Sequence, residues 1–154
     1  MACPFFMPME KFENGLWPHP GRLPLGCGWT GQCTAPGHEG SVPDVDSLHQ
    51  FCNLGYAKQC SWLPATRSWD AVRFAVAARE ENSQSPGTRS QIVQIQYVCE
   101  RDHRPVEHGR LAFDCANAVW VQKHPDHRVQ RMAECFLESC FAKRAWQAAD
   151  GLTS

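Results

Sequence analysis

The sequence predicts an α+β protein in which a three-stranded antiparallel sheet is packed by a C-terminal helix and preceded by an irregular half rich in cysteine, glycine and proline. Apolar and polar residues alternate in three segments between residues 70 and 115, and apolar residues recur at helical spacing after residue 125. Residues 1–64 contain eight of the eleven prolines and eight of the eleven glycines, which disfavours long helices and central strands there. We therefore expect a single domain over residues 1–154, with an irregular, cysteine-rich, metal- or cluster-binding half at 1–64 and the sheet and helix at 65–154.

The three predicted strands follow one another along the chain. The alternation runs over residues 72–78, 93–99 and 111–115. A polar run over 80–90, with Pro86 and Gly87 at its tip, is typical of a hairpin connection, and a second loop is expected over 101–108, around Pro105. Strands joined in this way form an antiparallel meander with one apolar face.

The C-terminal segment has the pattern of an amphipathic helix. Pro125 suits the first helical turn, Asp126 suits its positive end, and Gly151 marks a stop. The predicted apolar stripe consists of Val129, Met132, Ala133, Phe136, Leu137 and Cys140. Packing this stripe across the sheet would bury both apolar faces.

One short helix is predicted within the irregular half. Asp44 or Asp46 can cap its start, and Gly55 can end it in the left-handed conformation. Cys52 then lies in the last turn, and the chain reversal at Gly55 brings Cys60 back towards it. Two thiols separated by such a turn can converge on one centre.

Five of the nine cysteines lie in the irregular half, where chain with little regular structure needs something to hold it in place. Disulfides are rare in the reducing compartment that we expect for this chain, so metal binding or burial explains the thiols better. We predict a metal or cluster site with the ligands Cys3, Cys33, Cys52 and Cys60. Cys27, in a glycine-rich loop, is the alternative fourth ligand, whereas Cys3 precedes a proline and would tie down the terminus.

An iron–sulfur cluster of the 4Fe–4S type is the favoured cofactor, because four thiolates from distant loops can hold one. Zinc is the alternative, although structural zinc sites use ligand pairs two to four residues apart, which these cysteines lack. His38 and His49 could then serve as substitute ligands. A third interpretation is that the cysteines are inert buried residues, which is the role predicted for most of the remaining group, Cys99, Cys115, Cys135 and Cys140.

These patterns predict an iron–sulfur protein that transfers single electrons as a small subunit of a redox complex, or as the partner of a redox protein or enzyme. The alternative function is a zinc-stabilised protein-interaction module without catalysis. A hydrolase or metalloenzyme is a third hypothesis, based on the loop residues His103, Glu107 and His108 with His124 and His127. Because nothing in the sequence places a nucleophile beside them, a polar loop is the favoured interpretation. No catalytic residue is assigned, and the protein is expected not to be an enzyme by itself.

Composition and the N-terminal residues restrict the cellular setting. A formal net charge of −1 gives no electrostatic case for binding nucleic acid or an anionic membrane. The first fifteen residues have neither a basic start nor a long apolar run, so we expect no signal peptide and no membrane insertion. The predicted location is the cytoplasm.

Three segments carry a resemblance to other proteins: CNLGYA at Cys52, YVCERDHRPVEHG at Cys99, and RMAECFLES in the predicted C-terminal helix. They are similar to segments of small uncharacterised bacterial proteins with a cysteine-bound, iron–sulfur-like centre. The resemblance spans most of the chain and implies an accessory protein with such a centre. It implies no particular activity and no catalytic residue.

Overall fold

The computed structural model describes residues 1–12, 17, 23–82 and 90–150, and of residues 78–82, 90 and 146–150 it describes the backbone alone. The predicted hairpin tip at Pro86 and Gly87 and the predicted helix stop at Gly151 lie outside the described residues.

The described chain forms two antiparallel sheets and a long C-terminal helix. The elements in chain order are β1 (Phe6–Lys11), β2 (Trp29–Cys33), α1 (Val45–Ser47) continuing into a π-helical turn (Leu48–Cys52), β3 (Ala71–Asn82), β4 (Ser90–Arg101), β5 (Arg104–Asp114), β6 (Val119–Gln122) and α2 (His127–Asp150). Strands β1 and β2 form the smaller sheet, and the larger sheet has the order β3-β4-β5-β6. The predicted α+β class with antiparallel strands and a C-terminal helix is confirmed. The prediction of one three-stranded sheet is wrong, because β6 extends the meander and β1 and β2 form a second sheet.

The smaller sheet lies in the half that was predicted to be irregular. Pro8 pairs with Gly31, and the ladder contains a bulge between Pro8 and Glu10. A Cβ atom added at Gly31 would stand 2.1 Å from the carbonyl oxygen of Met7, so only glycine allows the two strands this close approach. Gly31, one of the glycines that disfavoured a strand prediction in this half, therefore makes this strand pair possible.

Strand β5 begins earlier than the alternation predicted. Asp102 and His103 both have positive φ angles, 50° and 60°, as a two-residue hairpin turn of the tight, twist-compatible type requires. The predicted loop over 101–108 is therefore wrong, and most of it is strand. Pro105 fits there because the pairing of β6 begins only at Ala112, so β5 has a partner on one side alone at Pro105 in the described chain.

The core joins both halves of the chain. One buried cluster combines Phe6 and Trp29 of the smaller sheet with Val72 of β3 and Val129 and Met132 of α2. A second cluster packs Val93 and Ile95 of β4 against Leu137 of α2. The prediction that the apolar face of the sheet packs against the C-terminal helix is thus confirmed at Val93 and Ile95.

On α2 the predicted stripe is nearly correct. Cys135, which is not in the predicted stripe, is fully buried, whereas Cys140, which is in it, is partly exposed. Among the described residues, no helix is both long and apolar enough to cross a membrane.

Candidate metal centre

Four cysteine side chains from four separate segments line one small cavity. They are Cys3 before β1, Cys33 at the end of β2, Cys52 at the end of the π-helical turn, and Cys60 in the following turn. The cavity has a volume of about 30 Å³. These are the four thiols predicted as ligands with Cys3 in the fourth place. The structure brings them together, and their role as ligands stays a prediction.

Backbone hydrogen bonds hold Cys3 beside Cys52. The N–H of Cys3 donates to the carbonyl oxygen of Cys52 at 3.0 Å. The preceding residue, Ala2, exchanges two backbone hydrogen bonds with Val72 of β3, at 2.7 and 2.9 Å. The N-terminal segment is thereby fixed between the larger sheet and the helical turn that carries Cys52.

The helical turn has the start and end that the sequence predicted. Asp44 is the cap residue, and its carboxylate accepts from the N–H of Ser47 at 2.7 Å. Gly55 ends the turn with φ at 69°, and a Cβ atom added there would lie 2.6 Å from the carbonyl oxygen of Met1. Glycine is needed both for the left-handed conformation and for the close passage of the N-terminus.

Cys33 and Cys60 are also placed by backbone hydrogen bonds in tight turns. Cys33 donates to the carbonyl oxygen of Ser41 at 2.8 Å and accepts from the N–H of Gly40 at 2.9 Å, which folds residues 34–40 into a loop. Cys60 donates to the carbonyl oxygen of Ala57 at 2.8 Å and accepts from Leu63 at 3.1 Å. Both thiols therefore sit in turns whose shape is set by the main chain.

The walls of the cavity between the sulfurs are apolar. They include aromatic and aliphatic side chains, namely Phe5, Phe6, Phe51, Trp62 and Leu63. The ring of Trp62 is stacked on His38, with 4.7 Å between ring centroids and 13° between ring planes. Such a lining excludes water and strengthens electrostatic interactions inside the cavity.

Burial disfavours the charged form of two of the cavity thiols, Cys3 and Cys52. Burial raises the pKa of Cys3 to about 12, although the N–H groups of Phe5 and Phe6 act in the opposite direction. Burial, followed by the neighbouring thiols Cys3, Cys60 and Cys33, raises the pKa of Cys52 well above its usual range. A cation bound beside these thiols would favour their thiolate forms.

A backbone N–H group donates to the sulfur of Cys33. The N–H of Ala35 donates to Sγ of Cys33 at 3.4 Å, and the N–H of Thr34 also favours the charged form of this thiol. Burial nevertheless dominates and raises the pKa of Cys33. Hydrogen bonds to sulfur are one of the means by which proteins set the reduction potential of iron–sulfur clusters.

The four thiols differ in their access to solvent. Cys3 and Cys52 are each 8% exposed, whereas Cys33 and Cys60 are partly exposed. One side of the cavity therefore faces the protein interior, and the side with Cys33, Cys60 and Trp62 faces the surface.

Cys27 lies elsewhere, against the C-terminal helix. Its sulfur is 3.3 Å from the hydroxyl oxygen of Ser139 in α2, and it is not among the residues that line the cavity. His49, considered as a substitute ligand, packs against Trp17 and Phe12 instead. His38 approaches the cavity only through its stack on Trp62.

The histidines predicted in one loop are spread over several elements. Glu107 and His108 belong to β5, while His103 stacks on Tyr56 with 4.1 Å between ring centroids. His124 is buried before α2, where its Nε2 is 3.3 Å from Oε1 of Glu107. Its Nδ1 accepts from the N–H of Asp126 at 2.9 Å, so in the neutral form Nε2 carries the proton and donates to Glu107. These hydrogen bonds hold the residues at the start of α2 in place. Among the described residues, they connect His124 to no nucleophilic side chain.

Several wall residues were not foreseen from the sequence. Of the apolar residues close to these cysteines in sequence, Trp29 lies in the core and Leu54 is exposed. Phe6 and Phe51 line the cavity instead. The position of Phe51 could have been predicted from its helical spacing next to Cys52. The position of Phe6 could not, because it depends on the pairing of β1 with β2.

In the part of the chain that the structure describes, no group of three or more His, Cys, Asp or Glu side chains is placed to hold a metal ion. The four thiols share a cavity, and they would have to adjust their side-chain positions to coordinate one. No family model, curated protein or solved structure matches this chain.

Proposed function

We propose that Cys3, Cys33, Cys52 and Cys60 hold an iron–sulfur cluster, and that the protein transfers single electrons as a partner or small subunit of a redox complex. The observation that carries this proposal is the convergence of four thiols, from four separate segments, on one apolar cavity. Two of the four thiols, Cys33 and Cys60, are partly exposed, so their side chains have room to adjust when a cluster binds. The four are free thiols, the state that a reducing compartment maintains, so we also propose a cytoplasmic location.

The arrangement of the thiols around a cavity suits a 4Fe–4S cluster. Each iron of such a cluster takes one cysteine thiolate, so the four ligands surround a body and do not meet at one point. A cavity of about 30 Å³ accommodates roughly two water molecules, which is less than a cluster needs. We therefore expect the four cysteine side chains to turn away from the centre of the cavity when the cluster binds. The wall residues Phe51 and Trp62 would then move aside to make room for it.

The chain supplies the surroundings that an electron-transfer site needs. When bound, the cluster takes up and releases one electron without making or breaking a covalent bond in the protein. The N–H donors at Cys3 and Cys33 disperse negative charge on the sulfurs, which favours the reduced state. The apolar walls exclude water from the sulfurs.

The surface side of the cavity is where we place electron exchange. Cys33 and Cys60 are the two partly exposed thiols, and Trp62 with its stacked His38 lies beside them. A redox protein or enzyme that docks on this side would approach the cluster over a shorter distance than from any side covered by Cys3 and Cys52. We propose the chemical class of the partner, a redox protein or enzyme, and no particular protein.

The same four thiols also form a Cys₄ set of the kind that binds zinc. A zinc ion would draw all four sulfurs to about 2.3 Å from one point, which closes the cavity. The protein would then be an interaction module stabilised by metal, without redox chemistry.

Metal analysis of protein purified without oxygen separates these proposals. We expect iron and acid-labile sulfide in stoichiometric amounts, with visible absorption that bleaches on reduction. Cys52→Ala should lose both elements, whereas the matched control Cys140→Ala, on α2 away from the cavity, should keep them. Colourless protein with stoichiometric zinc would establish the zinc module, and Cys52→Ala with a full complement of metal would refute both metal proposals.

A further inference from the structure

A second and larger cleft adjoins the wall of the thiol cavity. Its volume is about 330 Å³, at the lower end of the range for small-molecule sites. Phe5 contributes to the walls of both cavities. The remaining walls come from residues 66–69 before β3 and from Asp126 and Arg128 at the start of α2. None of the nine cysteines lines this cleft.

Two guanidinium groups line the cleft, and each is held in place by a carboxylate. Arg128 donates from Nε and Nη2 to the two carboxylate oxygens of Asp126, at 3.1 and 2.7 Å. Arg67 donates from Nε to Asp70, whose side chain is only 3% exposed, and from Nη1 to the carbonyl oxygen of Pro64 at 3.2 Å. These bonds use two of the five N–H donors of each guanidinium, so three remain on each for a bound molecule. Because both groups are already fixed, a ligand need not order them.

Hydroxyl groups and aromatic rings complete the cleft. The side chains of Thr66 and Ser68 are exposed, and neither has a hydrogen-bond partner among the described residues. Phe5 and Trp69 supply apolar surface, and the guanidinium carbon of Arg128 lies 5.2 Å from the centroid of the Phe5 ring. A ligand with a polar end and a flat apolar body would contact both kinds of surface.

The charges of the side chains at this cleft limit the kinds of ligand that it can bind. The guanidinium groups of Arg67 and Arg128 are each paired with one carboxylate, Asp70 and Asp126, so the four groups have no net charge and disfavour a phosphate dianion more strongly than a singly charged ligand. Paired N–H donors in a fixed fork instead fit the two oxygens of a single carboxylate. We propose that this cleft binds a small organic monocarboxylate, with its carboxylate on the guanidinium groups and its apolar body against Phe5 and Trp69.

Calorimetric titration of the full-length protein with sodium benzoate tests this proposal. We expect saturable binding of one benzoate per chain, and binding of the neutral isostere benzamide weaker by about tenfold or more, because the charge-assisted bonds are lost. Inorganic phosphate should not displace benzoate. Absence of saturable benzoate binding, equal binding of benzamide, or displacement by phosphate would each overturn the proposed ligand class.

Two variants and a control locate the binding. Arg128→Gln should weaken benzoate binding about tenfold, and Ser68→Ala, which alters one exposed hydroxyl and should not disturb folding, should weaken it about two- to threefold. Arg110→Gln removes an exposed guanidinium on β5 and should leave the affinity unchanged. Wild-type affinity in both Arg128→Gln and Ser68→Ala would contradict the site. Because none of the nine cysteines lines the cleft, benzoate binding can be measured both on protein that holds iron at the thiol cavity and on protein that does not.

Discussion

At the scale of single residues, three of the four cavity thiols, Cys3, Cys33 and Cys52, combine metal-binding chemistry with surroundings that oppose their ionisation. Burial raises the pKa of Cys3 to about 12 and also raises the pKa values of Cys33 and Cys52. A metal or cluster must therefore displace protons from these thiols as it binds. Loading is consequently expected to become stronger as the pH rises, because the competition from protons falls.

The raised pKa values predict an alkaline instability of the metal-free protein. A thiol whose pKa is higher in the folded than in the unfolded chain stabilises the fold below the unfolded value, 9.0, and loses this contribution as the pH rises through the folded value, about 12 for Cys3. We expect the urea midpoint of metal-free protein to fall between about pH 8 and pH 10.5, and that of loaded protein to fall less, because its thiols are already ionised. Equal falls in the two forms would contradict the placement of metal on these thiols.

Residue-level reasoning predicted the four thiols of the cavity better than it predicted the cavity walls. The Cys-Pro dipeptide at a terminus that needed fixing favoured Cys3 over Cys27, and the structure places Cys3 with the others. Cys27 contacts Ser139, which lies 112 residues later in the sequence, so no local sequence pattern predicts this contact. The N–H donors at Ala35, Phe5 and Phe6 depend on backbone direction, which side-chain patterns do not report.

At the scale of elements, the regular segments were predictable and the short or interrupted ones were not. The alternation over β4 and the helical spacing over α2 are long enough to average out exceptions. Strand β6 has four residues, Val119–Gln122, and three of them are exposed, so no alternation stands out. Strands β1 and β2 were missed because Pro8 and Gly31 are typical of irregular chain. In the structure Pro8 pairs with Gly31, where the missing side chain lets the two backbones approach.

The contact between sheet and helix is tested at Ile95 of β4. Ile95 is fully buried and packs with Leu137 of α2. Ile95→Asp would bury an unpaired carboxylate, and we expect it to lower the free energy of unfolding by about 3–5 kcal/mol. Its neighbour Gln96 is exposed on the opposite face, so the control Gln96→Asp should change the free energy of unfolding by about 0.5 kcal/mol or less. Equal stability of the two variants in urea unfolding would show that the inward face of β4 is wrongly assigned.

At the scale of the whole molecule, the cavity lies where the two halves of the chain meet. Cys3 and Cys52 belong to the same buried cluster as Val72 of the larger sheet and Val129 of α2. The halves distinguished by composition therefore share one core, and the thiol site joins segments that are far apart in sequence. Coordination at four such points would restrict the turns of residues 33–63 more than it restricts the sheet.

Hydrogen exchange measures this restriction directly. Removing the cluster by chelation without oxygen should speed amide exchange about tenfold or more in residues 2–6, 33–41 and 52–63, because the ligand-bearing turns lose their anchor. Residues 93–99 and 129–137, in β4 and α2, serve as the internal control and should change little. Uniform acceleration over the whole chain would mean that the centre stabilises the fold globally, and no acceleration would mean that these turns do not hold it.

The most direct test of the central proposal compares Cys3→Ala with Cys27→Ala, each purified without oxygen and assayed for iron and acid-labile sulfide per chain. Cys3 lines the cavity with Cys33, Cys52 and Cys60, whereas Cys27 contacts Ser139 on α2. We predict that Cys3→Ala loses the cluster or retains only a small fraction of it, and that Cys27→Ala keeps the content of the wild-type protein. A full cluster content in Cys3→Ala together with its loss in Cys27→Ala would contradict the proposed ligand set.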